Sequence, residues 1–114
     1  MASVNRTIHI GNTTRDPELR RTPNGTLTCE IGLAVNRKFK LESGETREEV
    51  LFLEITFWGK QAEIVCQYAK KGDALYIAGR LSMDEWVDKV TGAKRTKMRI
   101  TAEEFQFLSG RSGS

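Results

Sequence analysis

The chain predicts an all-β fold: a small, strongly curved five-stranded barrel with one helix between its third and fourth strands. Three observations predict it. Apolar and polar residues alternate with period two through most of the 114 residues. The period changes once, after Gly59, to a helical one. Turn sequences rich in Gly, Pro and Asn cut the alternating segments apart. An open sheet with one helix packed across it is the alternative architecture.

The first strand covers residues 5–11, with Thr7-Ile8-His9-Ile10 at its centre. Gly11-Asn12 and Asp16-Pro17 mark turns around a short loop. Residues 18–22 read as a small strand that ends at Pro23-Asn24-Gly25. Residues 26–39 form a long strand, in which Leu27, Cys29, Ile31, Leu33 and Val35 alternate with Thr28, Glu30, Gly32, Ala34 and Asn36. The small Gly32 and Ala34 leave room on the outer face for curvature or a close backbone approach. Residues 40–48 are polar around Ser43-Gly44 and read as a hairpin loop, and the next strand covers 49–58. Ala62, Val65, Cys66 and Ala69 recur at helical spacing, so residues 60–69 form the helix. Lys70 and Lys71 suit its C-terminal end and Gly72 stops it. Residues 74–87 alternate again, with Leu75, Ile77 and Leu81 as core. Val90-Thr91-Gly92-Ala93 is a hairpin loop, and residues 94–108 form the last strand or strand pair. Residues 1–108 are thus one domain. Residues 109–114, all Gly, Ser and Arg, read as the start of a linker or an artificial end.

Segment 50–58 is the most informative. Strand alternation puts Leu51, Leu53, Ile55 and Phe57 on a core face. Val50, Phe52, Glu54, Thr56 and Trp58 share the other face. Glu and Thr there expect water, so Phe52 and Trp58 are flat rings on a wet surface. Such rings invite a flat partner, of which nucleic-acid bases are the commonest. Cover by another subunit or a loop is the alternative.

Bulk properties permit that partner without demanding it. Eighteen Lys and Arg against fifteen Asp and Glu leave a net charge of +3. No apolar run reaches the length of a membrane span, and the N-terminus lacks the pattern of a secretion signal. Cys29 lies in a strand pattern and Cys66 in a helical one, so buried free thiols in a reducing compartment are expected. Two cysteines and the single His9 make no zinc site, and neither a metal motif nor a phosphate-binding loop is present. No cofactor is expected. His9 has no charge relay beside it and reads as a packed or interface histidine. Glu48 and Glu49 are adjacent in a strand and face opposite sides.

Three strands, a helix and two strands in a small curved barrel is the OB-fold layout, whose binding face is its second and third strands with the flanking loops. The sequence also resembles the bacterial-type single-stranded DNA-binding proteins over nearly its whole length. Residues 5–12 followed by Arg15-Asp16-Pro17-Glu18 are similar to that family's opening strand and turn. Thr22-Pro23-Asn24-Gly25 matches its next turn, and Trp58-Gly59-Lys60-Gln61-Ala62-Glu63 resembles the start of its helix. Tyr68-Ala69-Lys70-Lys71-Gly72 and then Tyr76-Ile77-Ala78-Gly79-Arg80-Leu81 resemble the segment after its helix.

The resemblance implies sequence-tolerant binding of single-stranded DNA in replication, repair and recombination, without catalysis. It implies a cytoplasmic, nucleoid-associated homo-oligomer, a tetramer in many members. It places the base-stacking positions on Phe39, Phe52, Trp58 and Trp86. Lys60, Lys71, Arg80 and Arg95 match or neighbour basic family positions, Lys38 and Lys40 flank Phe39, and Arg37 and Lys38 are further phosphate partners. Tyr68 is expected to anchor the helix. The departures are acidic: Glu54, Asp84, Glu85 and Glu42 stand where many members carry cations. Leu53 replaces a common His linked to subunit contacts. The acidic C-terminal tail that recruits replication and repair proteins in the family is absent from these residues. The alternatives are an OB-fold primosome or scaffold subunit that holds protein on the same face, or a nucleic-acid enzyme, for which the sequence shows no site.

Overall fold

Period-two alternation puts apolar side chains on one side of each strand, and hairpin turns then bring those sides together. The computed structural model describes residues 2–108. Its elements run β1 (Thr7–Thr13), β2 (Glu18–Arg21), β3 (Leu27–Lys40), β4 (Thr46–Trp58), α1 (Lys60–Tyr68), β5 (Ala74–Val87) and β6 (Lys94–Phe107). The expected linker, residues 109–114, lies outside the described residues.

β3 and β4 form a long antiparallel hairpin from Thr28↔Trp58 to Lys40↔Thr46. Its turn spans only residues 41–45, where Gly44 takes φ 93°, a left-handed value that glycine adopts at no steric cost. The expected loop of residues 40–48 is therefore shorter. Lys38↔Glu48 and Arg37↔Glu49 continue the ladder, and an exposed pair of strands needs no apolar signature. β5 and β6 form a second hairpin, with a bulge at Ala78/Gly79. A Cβ at Gly79 would collide with the Thr101 carbonyl, so this position requires glycine.

The barrel closes through β1. This strand pairs with β5 from Thr7↔Gly79 to Asn12↔Ala74, and with β3 at Asn12↔Ala34 and Thr13↔Leu33. β4 meets β6 in parallel at Ile55↔Ile100 and Thr56↔Thr101. The circuit β1-β5-β6-β4-β3 returns to β1, five strands closed on themselves as the OB-fold layout predicts. The short β2 lies beside β3. At Gly11 a Cβ would strike the Ala34 carbonyl. The close backbone approach expected on β3 thus occurs at Ala34, and its partner supplies the missing Cβ.

Inside sit Cys29, Ile31, Leu33, Ile55, Phe57, Leu75, Ile77 and Ile100, each at most 1% exposed. Phe57 meets Phe105 edge to face at 5.4 Å. α1 closes one end by burying Ala62 and Val65, one turn apart. It stops one residue earlier than its spacing predicts, because Ala69 is already extended. A polar knot holds that end: Thr13 Oγ1 donates to the Lys70 carbonyl at 2.5 Å, and the Lys70 N–H donates to Asp73 Oδ2 at 2.9 Å. Both cysteines are free thiols, Cys29 buried as expected and Cys66 only half-buried. Burial pushes the Cys29 thiol up to about 12, and nearby Cys66 adds to the shift. His9 is half-buried and bonds Thr7 Oγ1 through Nε2 at 2.6 Å.

Three expectations about burial fail. Leu51 is 50% exposed and Leu81 42%. Both point to the core side, but from stretches where the hairpins have run past the barrel. Tyr68 is 60% exposed, and no hydrogen bond or ring contact of its side chain anchors the helix among the described residues.

Candidate nucleic-acid interface

Register propagates one face across four strands. Residues paired across a ladder point to the same side. From β3 through β4 and β6 to β5, the outward row holds Glu30 and Thr56, then Thr101 and Arg80. Along β4 the same side carries Phe52 and Trp58; along β5 it carries Ser82, Asp84 and Trp86; along β6 it carries Arg99, Lys97 and Arg95. Phe52 is 70% exposed, Trp58 47% and Trp86 48%. Three large rings therefore stand on one continuous outer surface. Thr56 is buried on this face despite its outward row, because Arg99 covers it and donates to its Oγ1 at 3.0 Å.

Phe39 is not among them. It pairs with Arg47 on the opposite row, in line with Leu33 and Val35. It is half-buried near the tip of its hairpin, with the Arg37 guanidinium 4.8 Å from the ring centroid. The expected cations divide into two groups. Arg37 pairs with Glu49 at 2.9 Å, Arg80 with Glu103 at 3.0 Å, and Arg95 with Asp88 at 3.4 Å. Backbone N–H groups of Val90 and Thr91 bond Asp88 and hold its carboxyl below the usual range. Lys38, Lys60 and Lys71 enter no ion pair among the described residues. Lys60 opens α1 two residues after Trp58. The Lys71 backbone N–H binds Asp16, in the same turn as Arg15.

Two arginines that sequence reasoning passed over organise the centre. Arg99 bonds Glu30 at 3.0 Å and Asp84 at 2.6 Å, and its Nε is buried without a hydrogen-bond partner. Arg15 crosses Gly32 to reach Glu54 at 3.1 Å. A Cβ at Gly32 would collide with its guanidinium and with Thr14. The space left by Gly32 thus admits side chains, where the sequence suggested a backbone. Glu42 enters no ion pair among the described residues, and the other three acidic departures are paired: Glu54 with Arg15, Asp84 with Arg99, and Glu85 with Lys94 at 3.4 Å. The cation deficit read from these positions is cancelled by partners elsewhere in the chain. Alternation along Arg95, Lys97 and Arg99 was a signal for the second arginine. The first lies in a turn, and only the folded chain brings it to Glu54.

A profile of the single-strand binding protein family matches residues 4–108. The chain belongs to that family. It is 47% identical over 107 residues to a single-stranded DNA-binding protein of Helicobacter hepaticus, an alignment that covers 94% of this chain and 62% of that protein. It is 44% identical over 110 residues to a protein of the same name from Wolinella succinogenes, covering 96% and 67%. The chain thus spans about two thirds or less of the length of these relatives. Among solved structures, the single-stranded DNA binding protein of Thermus aquaticus superposes with a TM-score of 0.84 at 31% identity, over 95% of this chain and 52% of that one. The Plasmodium falciparum single-strand binding protein, solved in complex with single-stranded DNA, superposes with a TM-score of 0.86 over 95% and 97% of the two chains. At 18% identity that second likeness speaks for the fold alone. Members of the single-strand binding protein family are DNA-binding and non-catalytic.

Proposed function

We propose that this domain, residues 1–108, binds and protects single-stranded DNA with little regard to sequence, and does no catalysis. The observation that carries this reading is the shared outward row of Phe52, Trp58 and Trp86 in a chain of this family. The rings stack on bases, each worth about 1–3 kcal/mol. Phe39 adds a fourth ring near the tip of one hairpin. Lys38, Lys60 and Lys71 meet phosphates directly, and Arg37, Arg80 and Arg95 do so in exchange for their present carboxylate partners. Replication, repair and recombination are the processes such binding serves, on the DNA of the cytoplasm. No described helix is long and apolar enough to cross a membrane. If the full-length protein carries a C-terminal tail, replication and repair proteins enter through it.

A tryptophan-fluorescence titration with poly-dT at two salt concentrations tests the reading. Quenching of Trp58 and Trp86, weaker at high salt, is the expected result. No quenching would favour the scaffold alternative, in which the same face holds protein. The paired acids refine the salt dependence. Each phosphate neutralised contributes a log–log slope of about −0.7 for single strands. Asp84→Asn releases Arg99 from its 2.6 Å pair, and the slope should steepen by up to about 0.7. An unchanged slope would place Arg99 away from the DNA path.

The oligomer proposed is a homo-oligomer, a tetramer by likeness to the family. Ile8 and Ile10 are 53% and 57% exposed on β1, beside Ala78 and Tyr76 of β5. β1 pairs with β3 only at its last two residues, so its earlier edge is open to a copy. Sedimentation equilibrium should find an oligomer at micromolar concentration, and Ile8→Lys with Ile10→Lys should shift it towards monomer. A parent protein that is monomeric throughout would remove the claim.

A further inference from the structure

The parallel ladder that joins β4 to β6 is two residue pairs long. Beyond it the strands part, because β4 follows β3 into one arm and β6 follows β5 into the other. A cleft of about 300 Å³ lies between the arms. Phe52, Glu54, Leu81, Lys97, Met98 and Arg99 help to line it. We propose, resting on the single-strand reading above, that this cleft takes one base of the bound strand and favours a base with an exocyclic amine, cytosine, adenine or guanine, over thymine or uracil.

A base is flat and apolar on its faces and polar on its edge, and the cleft offers the matching chemistry. Phe52 is a ring already exposed on the DNA-facing row, so the cleft continues the proposed stacking surface. Leu81 and Met98, 42% and 54% exposed, give apolar area on the other arm. Lys97, which enters no ion pair among the described residues, brings positive charge to a partner that carries phosphate. The polar edge meets Glu54, a carboxylate that can only accept. Its Oε1 takes the Arg15 hydrogen bond, and its Oε2 has no hydrogen bond among the described residues. An amine such as cytosine N4 can donate to that oxygen. A carbonyl at the same ring position, as in thymine or uracil, sets oxygen against oxygen, and the one donor on that edge, N3–H, reaches the carboxylate only with O2 and O4 crowding it on either side. Arg15 fixes the carboxylate through the gap at Gly32, so its direction is set before a base arrives.

Cytosine and uracil share ring size and differ at position 4, amine against carbonyl, with the matching change at N3. Oligo-dC and oligo-dU of equal length are therefore the probes, titrated against the full chain by tryptophan quenching at one salt concentration. The parent should bind oligo-dC about tenfold tighter than oligo-dU. Glu54→Gln, which can donate as well as accept, should bring the ratio close to one, with oligo-dU affinity kept or raised. Met98→Phe, at an exposed position that narrows the cleft, should also reduce the ratio while Glu54 stays in place. Equal affinities in the parent, or a ratio unmoved by both variants, would overturn the proposal and leave single-strand binding standing. Failure of both oligomers to quench the parent would overturn the single-strand reading and this proposal with it.

Discussion

Phe52→Ala combined with Trp58→Ala is expected to weaken single-strand binding by about 2–6 kcal/mol, the sum of two stacking losses. The fold should survive. Phe52 is 70% exposed, so its truncation removes little packing, and Trp58 at 47% loses only its inner edge. The two rings lie three outward positions apart on β4, far enough to hold separate bases. Trp86 stays in the double variant and reports binding as the sole remaining indole. Titration with oligo-dT at fixed salt gives the loss, and circular dichroism checks the fold. If the double variant binds oligo-dT as the parent does, the bases run elsewhere.

Phe57→Ala should do the opposite. Its side chain is fully buried and meets Phe105 edge to face. Truncating a buried Phe costs about 3–5 kcal/mol in lost burial and cavity, a large share of the roughly 5–15 kcal/mol that holds a domain together. Urea denaturation should show the midpoint falling by that amount divided by the slope. The protein that stays folded should bind DNA with near-parental affinity. A stability loss under about 1 kcal/mol would mean that the barrel interior is packed differently. Adjacent residues thus separate the two properties: one holds the barrel, the next meets the ligand.

That separation was legible before any coordinates, because alternation along β4 is strict and its inward row is apolar. Ile55 and Phe57 fall inside, and Phe52 and Trp58 outside. Alternation reports a side, not what lies beneath it, which is why Leu51 and Leu81 read as core and emerge half exposed. Their strands continue past the barrel, and the place where a closed sheet ends has no mark in a local pattern. Phe39 lies on the row that counting by two from Leu33 gives, and family likeness names it as a ring without saying which row it shares. The electrostatics were the least visible. Arg15 and Glu54 are 39 residues apart, and Glu30 and Arg99 are 69 apart. Acids judged one at a time look like repulsive spots. Only the folded chain shows that Glu54, Asp84 and Glu85 each already hold a cation.

The two-rung seam between β4 and β6 has a mechanical meaning. In the proposed complex, a strand held by Phe52 on one arm and Trp86 on the other would span the seam like a cord across a hinge. Tension along that cord loads Ile55↔Ile100 and Thr56↔Thr101 first, with Arg99 as a clip that ties β6 to Glu30 and Thr56. The thirteen-rung hairpin of β3 and β4 carries little of that load. Under tension along the bound strand, the grip would yield by the arms spreading at this short seam while the rest of the barrel keeps its shape.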